Sequence, residues 1–386
     1  MKKFLCVAIS IVFILSMSVT GFAVENENNT VAGNLSAKSA ILMEASTGTV
    51  LMEHNPDEKL SPASITKVMT ILLTFEALDT GKIALEDKVT ASRNASSKGG
   101  SQIWLKEGEV MTVHELLKAT VIASANDACT ALGEYIAGDE ISFVSLMNER
   151  AKELGMNNTS FENCSGLDDT VTNHYSTARD VAIMSCELMK HKKVKEYTTI
   201  WMDSLRDGDT QLVNTNKLIR YYDGATGLKT GTTSKAGYCV SATAERDGME
   251  LVAVVLGSNN SSERFEDAKK MLNWGFANYA VFQPEIDQSL ITEVNVLYGE
   301  QEVIKPVTEK PGSILVERNM KDKIEQRVDM CVDVEAPVEK NQTLGKVYFE
   351  IDGEKIGECA ILNPERVERR GLWFVFTILW SSFTKK

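Results

Sequence analysis

The stretch GYCVSATAERDGMELVAVVL, residues 237–256, decides the fold class of this chain. Its first and last parts, residues 237–245 and 250–256, are rich in residues that favour β-strands. Between them, Arg246-Asp247-Gly248 is a strong signal for a tight hairpin turn. Because strands joined by such a turn pair antiparallel, this stretch predicts two neighbouring strands of an antiparallel sheet.

A second hairpin is predicted near the beginning of the chain, and helices are predicted between the two hairpins. Residues 39–43 and 49–52 have the pattern of strands, and Ser46-Thr47-Gly48 supplies the turn between them. The predicted helices come in blocks, near residues 62–80, 113–136, 140–154, 177–190 and 262–279. This pattern indicates an α+β fold, an antiparallel sheet flanked by helices, over a domain at residues 37–282.

The composition changes at Phe282-Gln283-Pro284, where the helix pattern stops. Up to about Asn363, stretches of the chain alternate between apolar and polar residues, and Asp352-Gly353 provides another hairpin turn. We therefore expect a separate small all-β domain at residues 283–365.

The tail, residues 366–386, differs again. It carries five cations and one anion around an apolar, aromatic-rich run. As a helix, residues 371–383 would rise roughly 20 Å, too little for a hydrocarbon core of about 30 Å. Tryptophans beside cations are typical of helices that lie in the membrane interface. The tail is therefore predicted to be an amphipathic membrane anchor, with a helix docked on the protein body as the alternative.

The N-terminus has the pattern of an export signal. Lys2 and Lys3 precede an apolar run at 4–17, and Gly21-Phe22-Ala23 fits a signal-peptidase site. The run is short for a bilayer span of about 20 residues, so cleavage after residue 23 is favoured over an uncleaved anchor. The polar residues 24–36 then form a linker.

Charge, cysteines and histidines narrow the function. A formal net charge of −13 argues against a nucleic-acid partner. The chain contains no Cys-x-x-Cys and no His-x-x-x-His pair, so we expect neither a metal nor another cofactor. Six of the seven cysteines follow the signal segment. Their even number permits disulfides, but we expect them to be buried as small apolar residues.

The segment SPASITK, residues 61–67, carries the first chemical motif. Ser61 as N-cap and Pro62 as first helical residue would place Ser64 in the first turn, at the positive end of the helix dipole. Lys67 lies three residues later, so its amine would share the face of Ser64 and can activate the hydroxyl. The motif alone is weak, because Ser-x-x-Lys recurs in the tail.

Two further motifs follow along the chain. Ser124-Ala125-Asn126 lies between two helical stretches, where the serine can relay a proton and the amide can hold a substrate carbonyl. Lys229-Thr230-Gly231 occurs once and precedes a β-rich stretch. Its lysine can hold an anionic substrate end, and its glycine lets a ligand approach the backbone. The ordinary explanations are turn chemistry for the first motif and an edge-strand lysine for the second.

In this order the three motifs resemble those of the penicillin-binding proteins and serine β-lactamases. More narrowly, the chain resembles the low-molecular-mass D-alanyl-D-alanine carboxypeptidases, peptidase family S11. The stretches that carry this narrower resemblance are residues 40–45, 61–64, 166–168, 174–180, 224–231 and 236–238. The resemblance covers about residues 36–280 and extends through the β domain and the tail.

The resemblance implies removal of the terminal D-alanine from peptidoglycan stem peptides that end in D-Ala-D-Ala, with β-lactam antibiotics as inhibitors. It implies an enzyme at the outer face of the bacterial cytoplasmic membrane. Ser64 would be the acylating nucleophile, Lys67 the general base and Ser124 the proton shuttle.

The resemblance also implies a set of substrate-binding residues: Asn126, Lys229, Thr230, Thr232 and Arg264. Lys229 would anchor the terminal carboxylate, assisted by Thr230 and Arg264. The backbone N–H groups of Ser64 and Thr232 would form the oxyanion hole.

Two rival functions share these motifs. A β-lactamase needs a carboxylate near the acyl bond, and the loop at residues 166–169 supplies acids. A membrane-tethered sensor would bind wall peptides or β-lactams without turnover.

Overall fold

The computed structural model describes residues 34–169, 171–374, 376–377 and 380. Its N-terminal part is built on a five-stranded antiparallel sheet, the central sheet. The strands of the N-terminal part are β1 (Ser39–Glu44), β2 (Val50–His54), β3 (Lys88–Thr90), β4 (Val110–Thr112), β5 (Met202–Leu205), β6 (Thr210–Val213), β7 (Ala225–Thr233), β8 (Gly237–Arg246) and β9 (Met249–Ser258). The central five-stranded sheet has the strand order β2-β1-β9-β8-β7, so β7 is an edge strand. The predicted signal segment and most of the predicted linker lie outside the described residues.

The hairpin that the sequence predicts at residues 237–256 is present. Strands β8 and β9 pair antiparallel, and Asp247 and Gly248 both have positive φ, at 50° and 76°. Positive φ at both central residues is what a type I′ turn requires. Strand β1 pairs antiparallel with both β2 and β9. The predicted α+β fold with an antiparallel sheet is confirmed.

Helices cover both faces of the sheet. The α-helices of the described residues are α1 (Lys67–Asp79), α2 (Arg93–Ser96), α3 (Val113–Ile122), α4 (Asn126–Ala137), α5 (Glu140–Glu153), α6 (Ala178–Met189), α7 (Lys195–Thr198), α8 (Leu218–Tyr221) and α9 (Ser261–Asn278). Short 3₁₀ helices lie at Ala63–Thr66, Lys192–Val194, Arg206–Gly208, Gln288–Leu290 and Arg318–Lys323. The predicted helices are therefore present, with ends that differ by a few residues, except that the stretch predicted near 113–136 forms two helices, α3 and α4, separated by residues 123–125.

Alternation along β9 explains why the sheet is covered on both sides. Val252 and Val254 pack into the apolar core shared with α1, α3, α4 and α6, whereas Leu251 and Ala253 pack against α9. Successive side chains of a strand point to opposite faces, so an uninterrupted apolar strand needs partners on both. Each fully buried valine contributes about 1.5–3 kcal/mol relative to exposure.

The start of α1 differs from the sequence prediction. Residues Ala63–Thr66 form a 3₁₀ turn, Pro62 precedes it, and no side chain caps it. The prediction that Ser61 is the N-cap is wrong, since its hydroxyl donates instead to Asp168 Oδ2 at 3.3 Å. The reason is the backbone of Ala63, whose φ of 48° turns the chain sharply where a regular first helical turn was expected.

The C-terminal part is built from strands, as the sequence predicts. Its strands are β10 (Tyr279–Phe282), β11 (Val294–Leu297), β12 (Val303–Ile304), β13 (Val307–Thr308), β14 (Ile314–Glu317), β15 (Glu325–Met330), β16 (Asp333–Glu335), β17 (Thr343–Ile351) and β18 (Glu354–Leu362). They form sheets of order β13-β18-β17-β15, β12-β11-β16 and β10-β14. Phe349 and Val347 are fully buried in the core of the largest of these sheets.

The described part of the tail is helical and exposed. Residues 372–374, 376–377 and 380 are helical, and the rings of Trp373, Phe376 and Trp380 follow one another at 5.6 and 6.0 Å. These three side chains share one helix face and are 51–76% exposed. Within the described residues, no helix is both long and apolar enough to cross a membrane. Residues 381–386 lie outside the described part.

The cysteines that follow the signal segment are free thiols in the structure. Those that are buried are Cys129, Cys164, Cys186, Cys239 and Cys359. Only Cys331 among these six is partly exposed. The expectation of burial is therefore met by five of the six and not by Cys331.

Candidate active site

The hydroxyl of Ser64 and the amine of Lys67 are in contact. Lys67 Nζ lies 3.0 Å from Ser64 Oγ. The lysine side chain is fully buried, whereas Ser64 is half-buried at the surface of the cleft. The hydroxyl is therefore accessible to a ligand, while the amine beside it is shielded from water.

Glycine residues allow the turn with Ser64 to pack tightly against its neighbours. A Cβ atom at Gly231 of β7 would lie 2.8 Å from Pro62 O and 3.0 Å from Ser64 N. On the other side, a Cβ atom at Gly166 would overlap the carbonyl oxygen of Ala63. A side chain at either position would displace the turn, so these glycines set the distance between Ser64 and the edge strand.

Asn126 joins the second motif to the first. Lys67 Nζ donates to Asn126 Oδ1 at 2.6 Å and to the carbonyl of Ser165 at 2.7 Å. With Ser64 this gives three acceptors, as many as an ammonium group has donors. The other end of the amide, Asn126 Nδ2, donates to the carbonyl of Gly99 at 2.7 Å. The amide is thereby held in one orientation at the start of α4.

Lys229 of β7 joins the third motif to the second. Its Nζ donates to Ser124 Oγ at 2.8 Å and to the carbonyl of Thr230 at 2.9 Å, and its side chain is 1% exposed. Ser124 has a φ of 62° in the break between α3 and α4. A non-glycine residue in this conformation costs of order 1–3 kcal/mol, and such strain clusters at functional sites.

Burial makes both lysines weaker bases than usual. It lowers the pKa of Lys67 from 10.5 to about 8, so a substantial fraction of the amine is neutral at mildly alkaline pH. Burial also lowers the pKa of Lys229 well below its usual value, and the charges of Lys67 and Arg264 lower it further. The site is thus a buried pocket rich in basic side chains. Within it, the lowered pKa of Lys67 lets its amine accept a proton near pH 8.

Of the remaining predicted site residues, Thr230 and Thr232 follow Lys229 on β7, and Arg264 lies on α9. Thr230 Oγ1 donates to Thr215 Oγ1 at 2.7 Å, and Thr230 is buried. Thr232 is exposed at the cleft. Arg264 Nη1 donates to the carbonyl of Gly231 at 3.1 Å and to Thr232 Oγ1 at 3.0 Å. The structure thus brings all eight predicted site residues to one end of β7.

Several contacts that hold the site were missed by the sequence analysis. They are the carbonyl groups of two loop residues, Ser165 and Gly99, and the side chain of Asp127 in the first turn of α4. Asp127 is fully buried and accepts N–H groups of Ile103 and Leu105, which fixes the loop that carries Gly99. Its place next to Asn126 was the available signal. Within the described residues, no group of three metal-ligating side chains lies together.

An antiparallel sheet flanked by helices, with a Ser–Lys pair at a helix start and a Lys-Thr-Gly edge strand, defines the class of serine hydrolases that act through a lysine-assisted serine. Within this class, the chain belongs to the D-alanyl-D-alanine carboxypeptidase family, whose model (Peptidase S11) matches residues 24–260. The C-terminal domain model of penicillin-binding protein 5 matches residues 285–369. The resemblance stated from the sequence is therefore confirmed, and the protein is a serine hydrolase of this family.

Relatives and solved structures agree with this assignment. The D-alanyl-D-alanine carboxypeptidase DacF of Bacillus subtilis is 41% identical over 376 residues, which is 96% of each chain. Penicillin-binding protein 5 from Haemophilus influenzae has a TM-score of 0.75 at 31% identity, covering 87% of this chain and 98% of that one. Penicillin-binding protein D2 from Listeria monocytogenes, in its ampicillin-bound form, has a TM-score of 0.58 at 34% identity, covering 63% and 98%.

Proposed function

We propose that this protein removes the terminal D-alanine from peptidoglycan stem peptides ending in D-Ala-D-Ala, through an acyl-enzyme on Ser64. The observation that carries the proposal is the continuous chain of side-chain contacts from Ser64 through Lys67 to Asn126, with Ser124 and Lys229 beside it. Family membership supports the reaction and its peptidoglycan substrate. Each residue role below is part of the proposal.

In the first half of the reaction, Ser64 Oγ attacks the carbonyl between the two D-alanines. Lys67, as neutral amine 3.0 Å away, accepts the hydroxyl proton. The C–O bond to the serine forms, the peptide C–N bond breaks, and the leaving amine of D-alanine takes up a proton. Ser124 relays that proton from the protonated Lys67 to the amine, because its hydroxyl lies in the break between α3 and α4 and is oriented by Lys229. Water then attacks the ester carbonyl and gives a proton to Lys67, the C–O bond to the serine breaks, and Ser64 Oγ takes that proton back.

The substrate is held at both ends of the scissile bond. The backbone N–H groups of Ser64 and Thr232 stabilise the oxyanion, since Gly231 lets the serine turn approach the edge strand. The terminal carboxylate lies near Thr230 and Thr232, in the field of Lys229 and Arg264. Because Lys229 Nζ is buried and bonded to Ser124, it acts on the carboxylate through its charge at short range.

The test is D-alanine release from a peptide ending in D-Ala-D-Ala, measured with and without prior incubation with penicillin. We expect release by the native protein, a long-lived penicillin adduct and no release after incubation. Ser64→Ala should abolish both release and labelling. Ser382→Ala, which alters the second Ser-x-x-Lys match of the chain, is the control and should change neither. Retained labelling in Ser64→Ala would reject the site, and rapid release of penicillin would favour the β-lactamase.

We also propose that the protein is exported and held at the outer face of the cytoplasmic membrane by its tail. The N-terminal signal pattern supports export. The exposed aromatic face of Trp373, Phe376 and Trp380 supports an interfacial helix, since these rings would otherwise remain in water.

Truncation after Arg370 tests the anchor more cleanly than removal of the whole tail. Val367 is buried in the β core, and Arg370 donates to the carbonyl of Gly299, so both belong to the fold. The truncated protein should leave the membrane fraction with penicillin acylation unchanged. The triple substitution of Trp373, Phe376 and Trp380 by serine should do the same at full length. Sedimentation with membranes after either change would contradict the proposal.

A further inference from the structure

A groove of about 850 Å³ lies between two loops on the surface of the part with the five-stranded sheet. One loop, residues 103–109, leads into β4, and the other, residues 206–211, forms the turn between β5 and β6 and the start of β6. The indole of Trp104 lines this groove and is 72% exposed, whereas its neighbours Ile103 and Leu105 are buried. A large aromatic side chain therefore projects into solvent from a segment that is otherwise anchored in the core.

The backbone at Trp104 is strained and is held in place from below. Its φ is 55°, and a bulky residue at positive φ is a genuine outlier. The N–H groups on either side, those of Ile103 and Leu105, donate to the buried carboxylate of Asp127 at 3.1 and 2.9 Å. The core thus imposes the conformation that exposes the indole. Strain of this kind persists only where the surrounding structure imposes it, and it clusters at functional sites.

The opposite wall of the groove is strained in the same way. Arg206 has a φ of 53°, and its Nη1 donates to the carbonyl of Ile103 at 2.9 Å. Its Nε donates to Glu109 Oε1 at 2.7 Å, at the far end of the first loop. The guanidinium group therefore joins the two loops on both sides of Trp104. Two bulky residues with positive φ on facing walls indicate a preformed surface, which is typical of ligand sites.

The groove is polar at its rim and close to neutral. Arg206 and Glu109 neutralise each other. Among the other residues that line the groove, Lys106 is the cation, and Glu107 and Asp209 are the anions. The groove therefore offers no excess of cations to a polyanion or to an anionic membrane surface. An exposed indole with donors and acceptors around it suits a neutral ligand that has an apolar face and a polar edge. A pyranose ring has both, because its C–H bonds form a face and its hydroxyl and amide groups lie at the edge.

The loop that carries Trp104 also reaches the catalytic centre. The carbonyl of Gly99 accepts from the side chain of Asn126, and that of Ser101 accepts from its backbone N–H, both at 2.7 Å. Since Gly99 and Trp104 are five residues apart, the chain between them spans at most about 18 Å.

The length of the stem peptide matches this distance. This step rests on the proposed function, in which a stem pentapeptide has three residues before the two D-alanines and is attached to the glycan strand through the first. The four residues on the acyl side of the scissile bond span about 14 Å when extended. The sugar that carries the stem can therefore reach Trp104 while the two D-alanines occupy the active site.

We propose that the groove between residues 103–109 and 206–211 binds an N-acetylated amino sugar of the glycan strand, with the sugar ring stacked on the indole of Trp104. The groove adds affinity for the substrate without contacting the reacting atoms. The protein therefore prefers stem peptides that are still attached to glycan over free peptides of the same sequence.

The test compares two substrates that carry the same stem pentapeptide ending in D-Ala-D-Ala. In one, the N-terminus is attached to the disaccharide of N-acetylglucosamine and N-acetylmuramic acid, and in the other it is only acetylated. Rates of D-alanine release give kcat and KM for both. We expect the native protein to have a KM about 5- to 30-fold lower for the disaccharide substrate, the usual effect of an aromatic anchor. The two kcat values should be similar, because the sugar is bound equally in the ground state and the transition state.

Variants assign the preference to the indole. Trp104→Asn removes the ring, and asparagine tolerates positive φ, so the loop keeps its conformation. This variant should have the same KM for both substrates and the native rate of penicillin acylation, which also shows that it folds. Trp104→Phe keeps an aromatic face and should keep most of the preference. Tyr298→Asn is the matched control and should keep the native ratio, since Tyr298 is also exposed and has a φ of 62° but lies in the C-terminal part.

The outcomes separate this inference from the proposed function. Equal KM values for the two substrates in the native protein would overturn the glycan site alone and would favour a protein partner for the groove. A preference that survives in Trp104→Asn would overturn it as well. Release of D-alanine from neither substrate would instead contradict the carboxypeptidase function on which the inference rests.

Discussion

The two parts of this chain treat polar side chains in opposite ways. In the part with the five-stranded sheet, Lys67 and Lys229 are 0% and 1% exposed, and the interior holds many hydroxyl and amide groups. Among the described residues after 283, Asn363 is the only buried polar side chain. The charged pairs there, such as Lys346–Glu358, lie at the surface.

This difference shows where the molecule accepts the cost of burying charge. Removing an ion from water costs several kcal/mol, even when hydrogen bonds replace part of its hydration. The C-terminal part, after residue 283, follows the ordinary rule of an apolar core and a polar surface. The part with the five-stranded sheet departs from this rule at several places, such as Glu44 and Asp267. One of these places is where the three motifs meet, which is the site of the proposed chemistry. The predictions below test whether the contrast is functional, in order of their expected effect on acylation.

The largest effect is expected from Lys67→Met, which keeps much of the side-chain volume and removes the amine. The rate of penicillin acylation should fall by about 10²–10⁴-fold, the usual contribution of a general base. Stopped-flow labelling measures this rate. Lys152→Met, at the exposed end of α5, serves as control and should match the native protein. A loss below tenfold for Lys67→Met would contradict the assignment of Lys67 as the general base.

The pH dependence of acylation should follow the pKa of Lys67. Because burial lowers this pKa to about 8, the amine is protonated below that value and cannot accept the serine proton. The rate should therefore fall about tenfold per pH unit below 8 and level off above it. A rate that is flat from pH 6 to 9 would contradict the assignment of the base.

A smaller effect is expected from Lys229→Met. The change removes the donor to Ser124 and one cation of the site, so acylation should slow by about 10- to 100-fold, the value of one lost charge-assisted hydrogen bond. The loss should be larger for a substrate with a terminal carboxylate than for its amide. Equal losses for the carboxylate substrate and its amide would show that Lys229 does not contribute to carboxylate binding.

No effect on acylation is expected from changes in the β part. Phe349→Ala should lower the free energy of unfolding by about 3–5 kcal/mol, because its ring is fully buried. Lys346→Met, which breaks an exposed pair, should leave it close to the native value. Denaturant titration measures both, and penicillin labelling of the folded protein should stay at the native rate. Slower labelling in either variant would show that the two parts are coupled.

Much of the fold was predictable from local pattern. The turn at Asp247-Gly248 and the apolar strands around it specify the hairpin and hence the antiparallel sheet. The break between α3 and α4 at Ser124 was visible as the junction of two helical stretches. These features depend on residues that are close together in the sequence, so one amino-acid sequence is enough to predict them.

The details of the site were less predictable because they depend on contacts between distant loops. The cap assigned to Ser61 failed because Ala63 takes a positive φ, in a turn packed between Gly166 and Gly231. The carbonyl of Ser165, which holds Lys67, carries no side-chain signal at all. Backbone groups can be supplied by any residue, so composition and spacing do not reveal them.

The assignment of Ser64 as nucleophile is tested by locating the acyl group after the protein reacts with penicillin. Digestion and mass spectrometry of the labelled protein should place the adduct on the peptide that contains Ser64, and Lys67→Met should form it far more slowly. An adduct on any other residue, or labelling of Lys67→Met at the native rate, would contradict the account.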